Sequence, residues 1–598
     1  MIETRAHTVG PAWQKETGWI RTVGPIYDFA QKSAPCRQSC PAGHDISWAL
    51  NLVRNEDFKG ALALFREDSP FPSITGRVCY HPCESKCNRG DHDQPLAINA
   101  LERAMSHYAD APAIPQNPTH SETVAVVGSG PAGLTAAYHL VLLGYPVTVI
   151  EKHPKLGGAL RYGIPEYRLP SEILDQEIGR LTTLGVQFQP DTNIGVDLAW
   201  TELRGDYDAV FLGIGLSQGT ALRTPGIESV TARSGLEFLH EVNRVEISQL
   251  DGEVLVIGSG DVAMDVARSA RRLGALGVHV ASLEKRSEMT CHPAELSEAL
   301  EEGVRLHDEW SATHIAPTDD GRIRVEFANV TAIKDGFVPV VGDQTMEMVV
   351  DHFLYAIGQT PVAEFLPEEI FGPDGRVAVD AAGRTAVDGV FAGGDIAGSY
   401  NVVQAIGAGK KAAVGIDCHL RGYDPEPLLA QSTVGGRGAI SMRRYRQVLA
   451  QMDDSDDGSD DGVKSDPISK ERTRLTGSDG AVDVIPFANI NLDYFPQVKR
   501  TSSSNLRPER RRGFEEVKHV FDRQTAIAEA SRCFHCGECT MCGNCFDFCP
   551  DSAVVQKGDQ GFFVIDSAHC KGCGTCVTEC PRSAMSMVPE QEFAKWTR

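Results

Sequence analysis

The sequence predicts an α/β protein with a small helical domain before its parallel sheets and a small α+β domain after them. Three observations support this fold class. Short apolar strands alternate with amphipathic helices from residue 123 to about 420, as in TVAVVG, PVTVIE and EVLVIG, and such alternation is typical of parallel sheets. Helical periodicity with cysteine-bearing loops precedes this region, as in ISWALNLVRNEDFKGALALFRE. Two regularly spaced cysteine runs follow it.

The composition excludes several classes of function. Lys and Arg number 57 against 81 Asp and Glu, a formal net charge of −24, which disfavours binding to nucleic acid or to an anionic membrane. The amino terminus carries no export signal and no stretch is long and apolar enough to span a bilayer, so we expect a cytoplasmic protein. In that compartment 17 cysteines indicate metal or redox chemistry rather than disulfides.

The segment VAVVGSGPAGLTAAYHL carries a complete dinucleotide-binding fingerprint between a strand and a helix. Its glycines permit a tight turn and a close approach of the backbone to a pyrophosphate, whose charge the helix amino terminus stabilises. A carboxylate at the end of the next strand, Glu151, would accept hydrogen bonds from ribose hydroxyls. The predicted binding residues of this turn are Gly128, Gly130, Pro131, Ala132 and Gly133.

A second strand, turn and helix follow in VLVIGSGDVAMDVARSARRLGALGVHVASLEKR, whose next strand ends near Glu284. Its third fingerprint position is alanine, which the fingerprint allows. Because this module is inserted within the first, we expect an electron donor and an electron acceptor to be held against each other. The predicted binding residues of this second turn are Gly258, Gly260, Asp261, Val262 and Ala263.

The segment DGVFAGGDIAGSYNVVQAIGAGKKAA is an apolar strand that ends at Gly394 and Asp395, ahead of a glycine-punctuated helix. By itself it could be a phosphate loop or a sharp turn. It resembles the Gly-Asp motif with which two-dinucleotide flavoproteins bind the ribityl and phosphate groups of the flavin. LGGALRYGIPEYRLP, which contains Gly158 and Arg168, resembles the segment beside the isoalloxazine in relatives of the glutamate synthase small subunit. The resemblance covers about residues 30–420 and implies FAD in the first module and a nicotinamide nucleotide in the second.

The end of the second module predicts NADH rather than NADPH. Family members that use NADPH commonly carry Tyr-Arg-Arg where this chain has Ser282-Leu283-Glu284. Glu284 would repel a 2′-phosphate and accept hydrogen bonds from a free 2′-hydroxyl. Two alternatives stay open: Lys285 and Arg286 could still reach a phosphate, and Glu284 could be a simple surface residue at a strand end.

The amino-terminal cysteines resemble the cluster domain of the glutamate synthase small subunit and of dihydropyrimidine dehydrogenase, through Cys36-x3-Cys40-Pro41 and GRVCYHPCESKC. Those relatives hold two clusters here. This chain lacks the upstream Cys-x2-Cys that would complete the first cluster, which leaves Cys36 without partners. The resemblance therefore implies one [4Fe–4S] cluster, with zinc as the competing metal. Its ligands would be Cys40, Cys79, Cys83 and Cys87.

Each of the two carboxy-terminal runs, Cys-x2-Cys-x2-Cys-x3-Cys-Pro, matches the bacterial two-cluster ferredoxin pattern, in which the fourth cysteine ligates the other cluster. Structural zinc fits single CxxC pairs but not this repeat. One predicted [4Fe–4S] ligand set is Cys539, Cys542, Cys545 and Cys580, and the other is Cys570, Cys573, Cys576 and Cys549. Cys533 and Cys536 extend the same spacing backwards, so a shifted ligand set stays open. Cys291 and Cys418 have no spaced companions, and we expect them to be buried packing residues.

These motifs predict a helical iron–sulfur domain at 1–115 and two nested Rossmann-like dinucleotide-binding domains. FAD would occupy 116–245 and 351–420, and NAD(P) would occupy 246–350. An acidic flexible linker is predicted at 421–530 because QMDDSDDGSDDGVKSD is almost free of apolar residues. Its arginine group, Arg507 and Arg510 to Arg512, is interpreted as an exposed charged loop, with contact to a partner or to a nucleotide phosphate as the alternative. A ferredoxin-like α+β domain with two [4Fe–4S] clusters would complete the chain at 531–598.

The expected function is an NAD(P)H:acceptor oxidoreductase that uses FAD, NADH and three [4Fe–4S] clusters, with no catalytic acid or base. Fused chains of this kind resemble electron-transfer flavoproteins of dissimilatory sulfite reductase and flavoprotein subunits of 2-oxoacid oxidoreductases. Either enzyme, or a free ferredoxin, would be the redox partner. Three alternatives stay open: a non-catalytic electron-transfer subunit, an NADPH-dependent subunit of the glutamate synthase type, and a redox-sensing regulator, against which the lack of a basic DNA-binding element weighs.

Overall fold

The computed structural model describes residues 19–22, 32–110, 112–456, 483–557, 562–566 and 569–589. Most of the acidic stretch that suggested a flexible linker, residues 457–482, lies outside the described residues. The helices, in chain order, are α1 (Pro35–Ser39), α2 (Ile46–Arg54), α3 (Phe58–Arg66), α4 (Pro72–Val78), α5 (Pro82–Ser85), α6 (Ile98–Tyr108), α7 (Pro131–Leu142), α8 (Ala159–Tyr162), α9 (Ser171–Leu184), α10 (Trp200–Asp206), α11 (Gly235–Asn243), α12 (Asp261–Arg272), α13 (Pro293–Glu301), α14 (Val402–Arg421), α15 (Pro425–Ser432), α16 (Met442–Asp456), α17 (Arg523–Ala530), α18 (Asn544–Asp547) and α19 (Thr575–Thr578).

The strands, in the same order, are β1 (Trp19–Thr22), β2 (Lys32–Ser33), β3 (Val124–Val127), β4 (Val147–Ile150), β5 (Gln187–Gln189), β6 (Ala209–Leu212), β7 (Gln218–Gly219), β8 (Ala232–Ser234), β9 (Glu253–Ile257), β10 (Gly277–Ala281), β11 (Arg305–His307), β12 (Trp310–Pro317), β13 (Ile323–Lys334), β14 (Val338–Val350), β15 (His352–Tyr355), β16 (Gln359–Thr360), β17 (Val390–Ala392), β18 (Asp483–Val484), β19 (Val554–Lys557), β20 (Phe562–Ile565) and β21 (Ser586–Pro589).

The chain divides into two compact units that differ from a simple succession of domains. The first contains the described parts of residues 1–112, 417–502 and 520–598, and the second contains 113–416 and 503–519. Both ends of the chain therefore belong to one unit. Residues 425–456, inside the predicted linker, form α15 and α16, because buried residues such as Leu428 and Tyr445 give these helices an apolar face.

The second unit contains two parallel five-stranded sheets, as the alternating pattern predicts. One has the order β17, β6, β3, β4, β5, and the other has the order β11, β10, β9, β15, β8. The second sheet lies between β6 and β17 in sequence, so one dinucleotide fold is inserted within the other. An antiparallel sheet of β12, β13 and β14 lies between β11 and β15 in sequence, within the inserted segment. The central strands β3 and β6 are buried along their whole length, which explains their continuous apolar runs.

The first unit combines short helices with two-stranded sheets. Helices α2 and α3 begin at the side chains of Asp45 and Asp57, which accept hydrogen bonds from backbone N–H groups of the first turn. Strand β2 pairs with β18 in parallel and β1 pairs with β21 in antiparallel, so chain segments far apart in sequence share sheets. The hairpin of β19 and β20 lies in the carboxy-terminal cysteine region.

Candidate functional site

The first dinucleotide turn has the backbone that its glycines predict. Gly128 follows β3 with a φ of +98°, in the left-handed region, and a Cβ on it would lie 2.5 Å from the carbonyl oxygen of Gly213. A Cβ on Gly133 would lie 2.0 Å from the carbonyl oxygen of Gly128, so α7 packs closely on the turn. By contrast, a Cβ on Gly130 would find its nearest neighbour 3.9 Å away. This side of the turn has room for a phosphate to approach the backbone.

Glu151 lies behind this turn as a buried carboxylate. It accepts hydrogen bonds from the backbone N–H of Ser129 at 2.9 Å, from the Ser129 hydroxyl at 2.6 Å and from the N–H of His153 at 2.9 Å. The same Ser129 hydroxyl accepts from the N–H of Gly157 at 2.9 Å. Glu151 therefore ties the turn to the strand that follows it, where the fingerprint places a ribose-binding acid.

The structure brings the other predicted flavin residues to the same turn. A Cβ on Gly158 would lie 2.8 Å from the Cα of Gly130, and a Cβ on Gly394, whose φ is +81°, would lie 2.9 Å from the Cβ of Ala132. Asp395 follows at the start of a helical turn, and burial raises the pKa of its carboxyl to about 6 although Arg376 opposes the rise. Segments from residues 128, 158 and 394 thus meet at one place, as the dinucleotide fold requires.

The second turn repeats the arrangement of the first. Gly258 follows β9 with a φ of +148°, and a Cβ on it would lie 2.4 Å from the carbonyl oxygen of Ala356. Asp261 and Val262 begin α12, and Ala263 is buried in that helix. The Asp261 carboxylate accepts the backbone N–H of His292 at 2.8 Å.

Glu284 occupies the same structural position in the second module as Glu151 does in the first. Its carboxylate accepts a hydrogen bond from the Ser259 hydroxyl at 2.8 Å, as Glu151 accepts one from Ser129. Strand β10 ends at Ala281, three residues earlier than the predicted end near Glu284. The hydrogen bond from Ser259, rather than a position at the strand end, therefore identifies Glu284 as the counterpart of Glu151.

The two cations after Glu284 point to solvent or to acids. Lys285 is exposed, with its Nζ 3.9 Å from a carboxylate oxygen of Glu309. Arg286 is exposed as well, and its backbone N–H donates to Asp308 at 2.9 Å. A 2′-phosphate on a bound nucleotide would meet two solvated cations and the Glu284 carboxylate.

Arg168 makes two ion pairs, and its predicted contact with the flavin stays a prediction. Its guanidinium pairs with Asp265 of α12 at 2.6 Å and with Glu295 of α13 at 3.2 Å, and each of the three side chains is at most 10% exposed. In the structure Arg168 fastens the segment beside the predicted flavin site to the inserted module.

The first ferredoxin-type ligand set is brought together by the fold. Cys539, Cys542, Cys545 and Cys580 line one cavity in the first unit. Burial raises the pKa of Cys539 to about 11 and that of Cys545 to about 12, so without a cation both groups are held as neutral thiols. Thiols buried together are a donor set that iron would stabilise as thiolates.

The loops of the two cysteine runs share one backbone conformation. The residue before the second cysteine is left-handed in both, with φ of +55° at Met541 and +79° at Gly572. Matching values recur after the fourth cysteines, +49° at Ser552 and +54° at Ser583. There the N–H of the next residue donates to the Cys549 sulfur at 3.2 Å and to the Cys580 sulfur at 3.3 Å. The two runs thus form an internal repeat, and the second ligand set of Cys549, Cys570, Cys573 and Cys576 stays a prediction.

The amino-terminal cysteines fall into two groups instead of the predicted set of four. Burial raises the pKa of the Cys83 thiol well above its usual value, and Cys40 and Cys79 add to the rise electrostatically. Cys87 instead lines a separate cavity with Cys36, Cys533 and Cys536.

Glu102 of α6 is a candidate ligand that the sequence analysis missed. It is fully buried beside Cys79, and burial raises the pKa of its carboxyl to about 8. The Thr75 hydroxyl donates a hydrogen bond to this carboxylate at 2.5 Å. Its position in a helix without neighbouring cysteines gave no sequence signal, whereas the repeat Cys533-x2-Cys536-x2-Cys539 did signal the other missed residues.

The site so far is that of a two-nucleotide flavoprotein that also binds iron–sulfur clusters, and comparisons with known proteins agree. Residues 122–412 match the family described as pyridine nucleotide-disulphide oxidoreductase. Residues 30–113 match domain II of dihydropyrimidine dehydrogenase with its 4Fe-4S cluster, and residues 538–585 match a 4Fe-4S dicluster domain.

Three relatives are about a third identical to this chain over the aligned residues. The NADP(+)-dependent formate dehydrogenase subunit beta of Moorella thermoacetica is 33% identical over 84% of this chain and 70% of its own length. The glutamate synthase [NADPH] small chain of Mycobacterium tuberculosis is 34% identical over 67% of this chain and 88% of its own. The NAD-dependent dihydropyrimidine dehydrogenase subunit PreT of Salmonella typhimurium is 31% identical over 65% and 91%.

The chain therefore belongs to the family of iron–sulfur flavoprotein subunits that includes the glutamate synthase small chain. It is an NAD(P)H-dependent oxidoreductase that uses FAD and [4Fe–4S] clusters, which confirms the predicted fold class and enzyme class. Among the described residues, no helix is long and apolar enough to cross a bilayer.

Proposed function

We propose that this protein is an NADH:acceptor oxidoreductase that exchanges electrons between NADH and a partner redox enzyme through FAD and [4Fe–4S] clusters. The main support for this proposal is a repeated hydrogen bond between a serine and a glutamate, which joins Ser129 to Glu151 in the first module and Ser259 to Glu284 in the second. When bound, FAD accepts an electron pair as hydride, and iron–sulfur clusters carry single electrons. The chain's own residues bind and orient these groups.

Glu284 supports NADH over NADPH. A carboxylate held by Ser259 at 2.8 Å is oriented to accept hydrogen bonds from the two ribose hydroxyls, and it would repel a 2′-phosphate. Lys285, exposed beside Glu309, offers little compensation because solvent screens its charge. The relatives' names include both nucleotides, so the local contact carries this proposal.

We propose that the chain binds three clusters through the following ligands. Two belong to the ferredoxin-type region, one on Cys539, Cys542, Cys545 and Cys580, and one on Cys549, Cys570, Cys573 and Cys576. The third belongs to the amino-terminal group of Cys40, Cys79 and Cys83, with the Glu102 carboxylate in the place that we expected Cys87 to fill. Buried neutral thiols and a buried carboxyl with a raised pKa favour a cationic iron site here.

The partner we propose is a redox enzyme with a basic docking surface, because the chain carries a net charge of −24. Dissimilatory sulfite reductase and 2-oxoacid:acceptor oxidoreductase are the two candidates, and a free ferredoxin is the third. Glutamate synthase, whose small chain is among the relatives, is the second function that a specific observation supports.

The test of nucleotide choice is anaerobic oxidation of NADH and NADPH with viologen as acceptor. Glu284→Ala should lower kcat/KM for NADH about 10- to 100-fold, the loss of one or two hydrogen bonds to a charged group, and should leave NADPH oxidation unchanged or faster. Lys285→Ala is the matched control and should leave NADH oxidation unchanged. A wild-type preference for NADPH that Lys285→Ala and Arg286→Ala abolish would refute the proposal.

The third cluster has its own test. Glu102→Ala should change the electron paramagnetic resonance (EPR) signal of one reduced cluster, and Cys83→Ala should abolish the same signal. Unchanged spectra in Glu102→Ala would remove this carboxylate from the ligand set.

A further inference from the structure

Four cysteines from the two ends of the chain line one cavity of the first unit. Cys36 and Cys87 come from the amino-terminal region, and Cys533 and Cys536 come from the stretch before the ferredoxin-type runs. The rest of the cavity wall is mostly apolar and includes Ala34, Ile46, Leu50, Leu96, Ile98 and Phe534. Four thiols around a largely apolar cavity are the donor set and the surroundings of a four-thiolate metal group.

The loop of Cys533 and Cys536 has the backbone of a cluster-binding loop. His535, before the second cysteine, has a φ of +52°, and Gly537, after it, has a φ of +77°. The first ferredoxin-type loop has +55° and +86° at the same two positions, and the second has +79° and +81°. The N–H of His535 also donates to the Cys533 sulfur at 3.4 Å. The Cys533 loop therefore shares the backbone conformation of the two ferredoxin-type loops.

A buried ion network holds this loop against the amino-terminal segment. Arg532, directly before Cys533, donates to the Asp93 carboxylate at 3.0 Å and to the carbonyl of Gln94 at 2.7 Å. Arg89 donates to the carbonyl of Arg532 at 3.1 Å, and its guanidinium pairs with Asp93 at 2.6 Å. Asn88 donates to the Cys536 sulfur at 3.4 Å. The loop is thereby fixed beside Cys87 rather than within the ferredoxin-type region.

We propose that Cys36, Cys87, Cys533 and Cys536 hold a fourth [4Fe–4S] cluster, which delivers electrons to the neighbouring cluster on Cys539, Cys542, Cys545 and Cys580. Cys536 and Cys539 are separated by three residue steps, which span at most about 11 Å. The two clusters must therefore be neighbours. Each transfer moves one electron, oxidises the fourth cluster, reduces the cluster on Cys539 and needs no proton. The electron source rests on the proposed function, whereas the ligand set does not.

The cluster is tested by metal analysis of the anaerobically isolated full-length protein. Cys36→Ala and Cys536→Ala, at opposite ends of the chain, should each lose about four irons and about four sulfides per FAD. The same EPR signal should vanish from both. Cys418→Ala is the control, since this buried cysteine of the same unit lies in none of the cavities described. Full iron content in either variant, loss of different signals, or zinc in place of iron would overturn the proposal.

The wild-type protein supplies a measurement that does not depend on variants that fold poorly. Four clusters require about 16 irons per FAD and three require about 12, and Mössbauer spectroscopy quantifies the cluster iron directly. A count of about 12 would overturn the fourth cluster.

The relay is tested by rapid reduction with NADH. In the Cys536→Ala variant, NADH should reduce FAD at the wild-type rate, but the ferredoxin-type clusters should be reduced at least tenfold more slowly. An unchanged rate of cluster reduction would refute the relay. If wild-type FAD is not reduced by NADH at all, the proposed function fails instead, and dithionite reduction followed by EPR still decides whether the fourth cluster exists.

Discussion

Replacing Arg168 with alanine should destabilise the second unit without weakening the binding of FAD. The substitution removes the guanidinium that pairs with Asp265 at 2.6 Å and with Glu295 at 3.2 Å. Both carboxylates stay buried, with 7% and 6% of their side chains exposed. Breaking a buried ion pair from one side leaves an uncompensated charge, which costs about 3–5 kcal/mol.

Both carboxylates keep other partners in the variant, so the expected loss of stability lies near the lower end of that range. Glu295 keeps the guanidinium of Arg268 at 2.7 Å, and Asp265 keeps the hydroxyl of Tyr167 at 3.2 Å. If the free energy of unfolding of a unit of this size falls by about 3 kcal/mol, the midpoint of thermal unfolding falls by roughly 5–10 °C.

The destabilisation should depend on pH in a fixed direction. Burial raises the pKa of Asp265 to about 6, and Arg168 opposes that rise. Without Arg168 the folded-state pKa rises further above the unfolded value, so the folded variant holds a proton that the unfolded chain releases. A raised carboxyl pKa makes stability fall as pH increases through this window. The gap between variant and wild type should therefore be larger at pH 8 than at pH 5.5.

The assay is thermal unfolding at both pH values, together with fluorescence titration of FAD into the deflavinated protein. Arg322→Ala is the control, because it also removes an arginine from an ion pair, with Asp320 at 2.8 Å, but on the surface of the same unit. Its melting midpoint should not change measurably. If Arg168→Ala weakens FAD binding and leaves the unfolding midpoint unchanged, Arg168 binds the cofactor as the sequence resemblance implied and the structural reasoning is wrong.

Two further substitutions test the packing of the binding turns and the junction of the chain ends. Gly409→Ala should lower flavin content and stability, because its Cβ would lie 2.2 Å from the carbonyl oxygen of Ala132; Gly179→Ala, on an exposed helical face with nothing within 4 Å, should be neutral or slightly stabilising. Asp93→Asn should loosen the loop of Cys533 and remove iron while FAD stays bound, since it discharges the carboxylate between Arg89 and Arg532. Iron retained at the wild-type level would show that this network is not needed to hold the loop.

The sequence predicted the parts of the site that are local in the chain. Each dinucleotide turn lies between one strand and the helix that follows it in sequence, and it includes local contacts such as that of Gly133 with Gly128. Each ferredoxin-type run likewise places its first three ligands on one short loop. Periodicity and spacing report such contacts directly, so the fold class and both nucleotide modules could be predicted.

The sequence did not predict the contacts that join distant segments. Cys36 lacked companions because they lie at Cys533 and Cys536, on a loop that an ion network holds beside Cys87. Glu102 carries no spacing signal, since a helix with one glutamate is common. Arg168 looked like a cofactor residue because its sequence neighbours are, but its charge partners, Asp265 and Glu295, come from the inserted module. In each case the deciding interaction is electrostatic and long in sequence.

The five cysteines from 533 to 545 show why the missing amino-terminal pair does not imply a missing cluster. Their uniform spacing suggested one ligand run with extra members, but the fold divides it. The first two cysteines lie at the cavity with Cys36 and Cys87, and the last three lie at the cavity with Cys580. A single loop that ligates two clusters fixes their separation by covalent geometry, and that separation limits how fast an electron can pass between them. Ligands supplied from the far end of the chain would thus restore a complete thiolate set and also attach the ferredoxin-type region to it.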